Sequence, residues 1–455
     1  MTSSKSPAGL ADRTFPPHAQ RVATARILHN RSKSTHRSHL LATLVSFGGT
    51  LVRVHPALSM FAASLIAFAP VHALAQEQEA STSVRDRPRE EYDPLGVRFG
   101  AFNLNASVGL AAESNDNIFA EEVGQDEDMI FTVAPRAALR SNWSRHAIEV
   151  DAGARFESHE DFSSEDVDTG YARLRGRLDI GSRSNVALDA GLSHEREARS
   201  DSDAPTTGDP VEYDRSDLAL TAEHTFNRFT ITGAIAQRDY SFDGPVQSVR
   251  NNDQTSFRAR VDAELTPRLG LVFEATTDER DYENSASLSS EGTTLLAGVN
   301  MNFTDLLVGE ITAGRFTRDY DGGASADGLA VMANLEWYPT GLTTVTFNAR
   351  QNAEDVVGAT TATPFTESQY GVRVDHELLR NVILTAGAQA GRREYEDPID
   401  REDEVVSAEV GADYIMNRRI ALRARYTFDD VQSSGADRYR DFEVNAFTLG
   451  VSFRL

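Results

Sequence analysis

From Gly96 to Leu455 the chain is a succession of short segments in which apolar and polar residues alternate. The pattern is clearest at the end, where Phe447, Leu449, Val451, Phe453 and Leu455 fall on one face at period two. Thr448, Gly450, Ser452 and Arg454 fall on the other, and Phe442, Val444 and Ala446 add apolar residues to that second face further up. Side chains of an extended chain project to alternate faces, so the pattern predicts strands with one apolar and one polar face. No segment carries an apolar stripe of helical spacing. Tight turns are predicted at Ser144-Arg145, Arg183-Ser184, Asn227-Arg228, Pro267-Arg268, Thr304-Asp305, Thr340-Gly341, Arg380-Asn381 and Asn417-Arg418, the last six recurring every 36 to 40 residues. That spacing suits two strands, one tight turn and one longer loop. The longer connections are acidic: NDNIFAEEVGQDED at 115–128, SDSDAPTTGDPVE at 200–212 and DPIDRED at 397–403. Nine rising and nine falling segments give eighteen strands, or sixteen if one pair is irregular.

Residues 56–75, PALSMFAASLIAFAPVHALA, form an apolar run that ends in an A-x-A site, which predicts an export signal cleaved between Ala75 and Gln76. The basic stretch before it is longer than an ordinary signal and is assigned no fold; either the true start lies downstream or the signal is extended. Residues 76–94 are charged and broken by Pro88 and Pro94, and read as a solvated, disordered tail in the periplasm. The whole chain carries a formal charge of −24. Residues 1–75 hold eight of the 45 basic residues and one of the 69 acidic ones, so the remainder stands at −31. Such acidity excludes nucleic acid as a partner. There is no cysteine, hence no disulfide framework and no thiolate metal site. An apolar residue at the last position and at every second one before it resembles the C-terminal signature read by the assembly machinery of bacterial outer-membrane barrels, with Leu455 where Phe or Trp is usual. The expected fold is all-β, a transmembrane antiparallel up-and-down barrel over 95–455, with tight turns in the periplasm and long loops outside. A soluble β-sandwich would also alternate. It explains neither the export signal nor so many evenly spaced segments without a domain boundary.

In lipid the apolar set must face outward, which fixes the other set as lumenal. Phe229, Ile231 and Ile235, Phe257, Val261 and Leu265, and Leu269, Leu271 and Phe273 then point out. A recurring tripeptide marks the outer ends of rising strands: Arg238-Asp239-Tyr240, Arg280-Asp281-Tyr282, Arg318-Asp319-Tyr320 and Arg393-Glu394-Tyr395. Its Arg and Tyr face inward each time. Falling strands add inward Arg173, Arg175, Arg177, Arg258, Arg260 and Arg373, and Glu274 and Asp278 share the inward face with Arg280. Inward acids such as Asp262, Glu264, Glu310, Asp375 and Glu377 lie nearer the tight turns, so the wall is expected to grade from carboxylate to arginine. One reading is an arginine belt with stacking tyrosines that meets anionic or sugar-like solutes. The other is cross-strand ion pairing that merely stiffens the wall.

Pro135 removes a ladder donor, so a bulge or bend is expected there. The acidic loops read as solvated surface, with loose Ca²⁺ binding as the alternative. His146, His159, His194, His224 and His376 are scattered over different strands, His194 and His224 on the lipid side by parity, and no G-x-S-x-G or H-E-x-x-H is present. No enzymatic activity, cofactor or metal is expected.

The opening NASVGLAAESNDNIF (Asn105 to Phe119) and the following DEDMIFTVAPRAALRS, with its Ala134-Pro135 step, resemble the outer-membrane β-barrel porin family common in alphaproteobacteria. The resemblance implies a channel for small hydrophilic solutes. Related barrels are associated with exopolysaccharide production, so it also implies an alternative: a non-conducting barrel serving exopolysaccharide export. Expected partners are outer-membrane lipid and lipopolysaccharide, the assembly machinery and small hydrophilic solutes, with homo-oligomerisation left open.

Overall fold

A computed structural model describes residues 82–455 apart from 202–203, 206, 245, 305, 358–361 and 398. The export signal, its Ala75–Gln76 cleavage site and residues 76–81 lie outside the described residues. Eighteen long strands follow one another from Phe102–Asn115 to Phe442–Arg454, each antiparallel to its chain neighbour. The last pairs with the first in a continuous register, Leu449 opposite Ala112 and Arg454 opposite Ser107. Even the terminal amide takes part, Leu455 N–H donating to the Ala106 carbonyl at 2.9 Å. The sheet therefore closes and leaves no free edge in hydrocarbon. This is the eighteen-stranded barrel the alternation predicted, not sixteen strands. A short extra strand, Val97–Phe99, doubles back on the start of Phe102–Asn115.

The tight connections fall within a residue or two of their predicted places. At Phe226–Phe229 the two-residue turn is formed by Asn227 in the left-handed region at φ +49°, a conformation Asn tolerates and hairpins of this length require. The face assignment holds along the strands. Phe273, Phe257, Phe229, Leu295 and Leu329 are exposed on the outside, whereas Val272, one residue from Phe273, is fully buried on the inside. Phe447, Leu449, Phe453 and Leu455 are likewise exposed outward. The apolar inward residues Phe442, Val444 and Ala446 are buried, and Ala120 of the first exterior loop packs with Phe442, Val444 and Val431. That loop folds into the mouth, and Asn117 fastens it by donating to the Glu443 carbonyl at 2.9 Å. A second small cluster joins Leu296, Phe316, Ala326, Ala330 and Ala353 on the inner side.

Two local expectations need correction. Pro135 makes no bulge: its strand keeps register with Phe102–Asn115 throughout, Val108 opposite Pro135. On the other side the ladder skips Ala134 and Pro135, between Val133–Phe156 and Arg136–Gly153, without shifting. The gap absorbs the missing donor. Residues 82–94 are not a solvated tail. Val84 and Arg89 are buried and the segment is hydrogen-bonded to the wall near the tight turns, because its arginines meet carboxylates there.

The faces give a direct test. Leu449→Arg on the outer face should cost about 2–4 kcal/mol of stability near mid-depth, read by urea unfolding in lipid vesicles. Thr448→Arg on the inner face should cost under about 1 kcal/mol by the same measure; equal losses would contradict the assignment.

Candidate functional site: the lumenal wall

The even positions of Leu269–Tyr282 (Glu274, Thr276, Asp278, Arg280 and Tyr282) point inward, and register places the corresponding rows of neighbouring strands beside them. Arg260 sits opposite Glu274, binds Asp262 at 2.7 Å, and reaches across two strands to Glu310 at 2.6 Å. Arg318 reaches Asp278 at 2.5 Å across the strand Ser290–Thr304. Gly292 of that strand lies between them; a Cβ there would stand 2.6 Å from the guanidinium and 2.7 Å from the carboxylate. A side chain would separate the pair, so glycine is what lets it form. Arg318 also donates to Ser290 Oγ at 3.0 Å and is buried, as Asp278 partly is.

The other expected arginines follow the same rule of pairing. Arg173 meets Asp189 at 2.8 Å, Arg175 shares Asp189 and Glu149 at 3.4 Å each, and Arg177 meets Asp179 at 2.8 Å. Arg238 pairs with Asp217 at 2.7 Å, Arg373 with Asp375 and Glu409 at 3.0 Å, and Arg393 with Glu367 at 3.0 Å. Arg258 faces inward with no acid in ion-pair range among the described residues. Arg260 and Arg373 sit near the middle of their strands, and carboxylates are present in the outer half too, at Asp217 and Asp278. Carboxylates beside arginines along the wall add local ion pairing to the expected grading from carboxylate to arginine, since a partner at hand lowers the cost of holding a charge there.

The sites are not all brought together. Arg238, Tyr240, Glu274, Asp278, Arg280, Tyr282 and Arg318 line one cavity of about 440 Å³. Arg173, Arg175, Arg177, Arg258, Arg260, Tyr320, Arg373, Arg393 and Tyr395 do not line it. Tyr320 is buried, and Tyr395 donates to Asp403 at 3.2 Å with Arg401 stacked 4.5 Å from its ring. Tyr240 belongs to an aromatic group with Tyr213 and Phe242, with the Arg238 guanidinium 6.0 Å from its ring.

Two cavity arginines escaped the sequence reading. Arg350 shares the inward parity of Thr344, Thr346 and Asn348, so alternation alone would have found it. Arg250 comes from a short turn in an exterior loop, where no periodicity operates. It pairs with Glu197 at 2.7 Å and stacks 4.2 Å from the Phe242 ring. Its Nε is buried without an acceptor.

The exterior loops are tied to one another. Arg199 pairs with Glu165 at 2.8 Å, both buried, while Arg440 donates to the Arg199 carbonyl at 2.6 Å and Tyr439 to that of Ala204 at 3.2 Å. In the loop after Tyr395, burial and the nearby Asp397, Glu394 and Asp327 hold the Glu396 carboxyl above the usual carboxylate range. Among the described residues no His, Asp and Glu group is arranged to hold a metal. Asp128, in one of the acidic runs, instead accepts the backbone N–H groups of Met129 and Phe162 at 2.6 and 3.1 Å. His194 stands on the outer face against Asp214 at 2.8 Å.

The Arg318–Asp278 pair predicts its own coupling. Arg318→Ala should destabilise the barrel by about 3 kcal/mol, and Asp278→Ala should cost less in that background than alone, by urea unfolding in vesicles. Strict additivity would mean the pair is not made.

No curated protein matches the chain. Similar solved structures include OpdO of Pseudomonas aeruginosa, 13% identical over 78% of this chain and 97% of that one, with a TM-score of 0.44. OpdK of the same organism, solved with vanillate, is 12% identical over 77% and 98%, TM-score 0.43. The siderophore receptor PirA of Acinetobacter baumannii is 8% identical over 77% and 80%, TM-score 0.41. The sequence profile of one family, described as Putative beta-barrel porin 2, matches residues 89–455. That match runs over every strand of the barrel, and the chain belongs to this porin family, an outer-membrane β-barrel of the channel kind rather than an enzyme.

Proposed function

We propose that the barrel is a passive channel for small hydrophilic solutes, anionic and sugar-like ones among them. The observation that carries this is the cavity in the inner wall, where Arg238, Arg250, Arg280, Arg318 and Arg350 converge with Tyr240 and Tyr282 while only Glu274 and Asp278 bring acid to the lining. Guanidinium groups offer planar donor forks that match carboxylates and phosphates, and aromatic rings offer faces to sugars. A wall so charged requires water beside it, and eighteen strands leave room for an aqueous path. The pairing of Arg238 with Asp217 and Arg250 with Glu197 tempers the positive field, so the expected anion preference is modest. In this reading residues 1–75 direct export and are removed after Ala75, an arrangement supported by the small residues at 73 and 75. Outer-membrane lipid and lipopolysaccharide then surround the apolar face, and Phe447 to Leu455 serve as the assembly signal.

Single-channel recording of the refolded mature chain tests the proposal. Discrete open steps are expected, and Arg280→Ala with Arg318→Ala should lower the anion-to-cation permeability ratio about twofold. An unchanged ratio would remove the arginine cavity from selectivity. A barrel that never opens would favour the export-associated role implied by the family resemblance.

A further inference from the structure

Residues Thr82–Asp93 lie against the inside of the barrel at its tight-turn end, and the contacts follow the rim strand by strand. Val84 is fully buried and its N–H donates to Thr344 Oγ1 at 2.9 Å. Arg85 donates to Asp375 at 2.7 Å and to Thr385, and lies 3.5 Å from Asp413. Arg87 and Arg89 both reach Glu377 at 3.3 Å. Arg89 is itself buried and ties the segment into a compact turn by donating to the Val84 carbonyl at 2.6 Å. Further on, Arg418 donates to the Glu90 carbonyl at 2.6 Å and Arg454 to that of Tyr92 at 3.4 Å. Thr344, Asp375, Thr385, Asp413, Arg418 and Arg454 stand on or beside successive strands, so the segment covers about a third of the circumference.

These contacts form a built seat. The arginines at 85, 87 and 89 alternate with Asp86, Pro88 and Glu90, so the basic side chains turn to the wall while Asp86 and Glu90 stay exposed. The seat is acidic and the wall supplies its own counter-charges: Asp375 holds Arg373, Glu377 holds Arg380 and Asp413 holds Arg423. Each of these carboxylates therefore keeps a partner on the wall besides the segment. A chain laid over the face of a sheet takes up about 10 Å of depth. Laid over a third of the rim, it removes that depth from the opening.

We propose that Thr82–Asp93 is an intramolecular constriction: a strap held in the mouth by Arg85, Arg87 and Arg89, which narrows the tight-turn end and whose displacement widens the path. The proposal rests on the channel reading given above. Because the chain has no cysteine, Val84→Cys with Thr344→Cys provides a clean pair for a short bis-maleimide crosslinker. Crosslinking in the folded barrel, seen as a faster-migrating band after denaturation, is expected and reports docking without reference to conductance. The Arg85→Ala, Arg87→Ala, Arg89→Ala variant and a chain lacking residues 82–93 should each show about twofold larger single-channel steps, whereas the crosslinked protein should match the wild type. Failure to crosslink overturns the docking. Crosslinking with unchanged steps in both strap variants overturns the constriction alone. If no variant conducts although the crosslink forms, the channel reading falls and takes the constriction with it.

Discussion

Hydrocarbon cannot solvate a peptide group, and every other feature of this chain follows from that constraint. Each backbone N–H and C=O within the bilayer must find a partner in the protein. An antiparallel sheet satisfies all of them except at its edges, so the sheet has to close. The ladder between Phe442–Arg454 and Phe102–Asn115 is what closes it, and it runs to the last residue of the chain. The apolar residues at every second position near the C-terminus keep that closing strand in register, because a one-residue slip would turn Phe447 and Leu449 inward and Thr448 and Arg454 into lipid.

Closure with strict alternation leaves an interior built from the residues that lipid rejects. The chain answers with arginines and carboxylates that pair between neighbouring strands and, at Arg318 and Arg260, across one and two intervening strands. Gly292 shows how far the backbone is adapted to this: it clears the space in which Arg318 and Asp278 meet. Rigidity and solute contact are not competing accounts of the same arginines. The ion pairs stiffen the wall, and the same pairing holds Arg238, Arg250 and Arg318 in place where they line the cavity by Tyr240 and Tyr282.

Strand number, turn positions and the facing of side chains were legible because they are local: period two and turn chemistry are read within a few residues. The cavity was partly legible for the same reason, since Arg238, Arg280 and Arg318 announce themselves as repeats on successive hairpins. What escaped was non-local. Arg250 arrives from a loop with no period, and the partners of Arg260 and Arg318 depend on strands far apart in sequence. The N-terminal segment looked solvated because its charges were counted without the acids at 375, 377 and 413 that receive them. Phe442 and Val444 seemed to blur the alternation for a similar reason, as Ala120 packs against them from more than three hundred residues away in the chain. Pro135 was misjudged in the opposite direction: a sheet can omit the bonds on one side of a proline and keep its register.

The central claim is that lipid lies on one side of this sheet and water on the other. It is tested most directly with single cysteines at two adjacent residues of one strand, Ala275 and Thr276, in protein reconstituted into vesicles. A small water-soluble maleimide should label the cysteine at 276 and spare the one at 275. Labelling at 275 with protection at 276 would contradict the account.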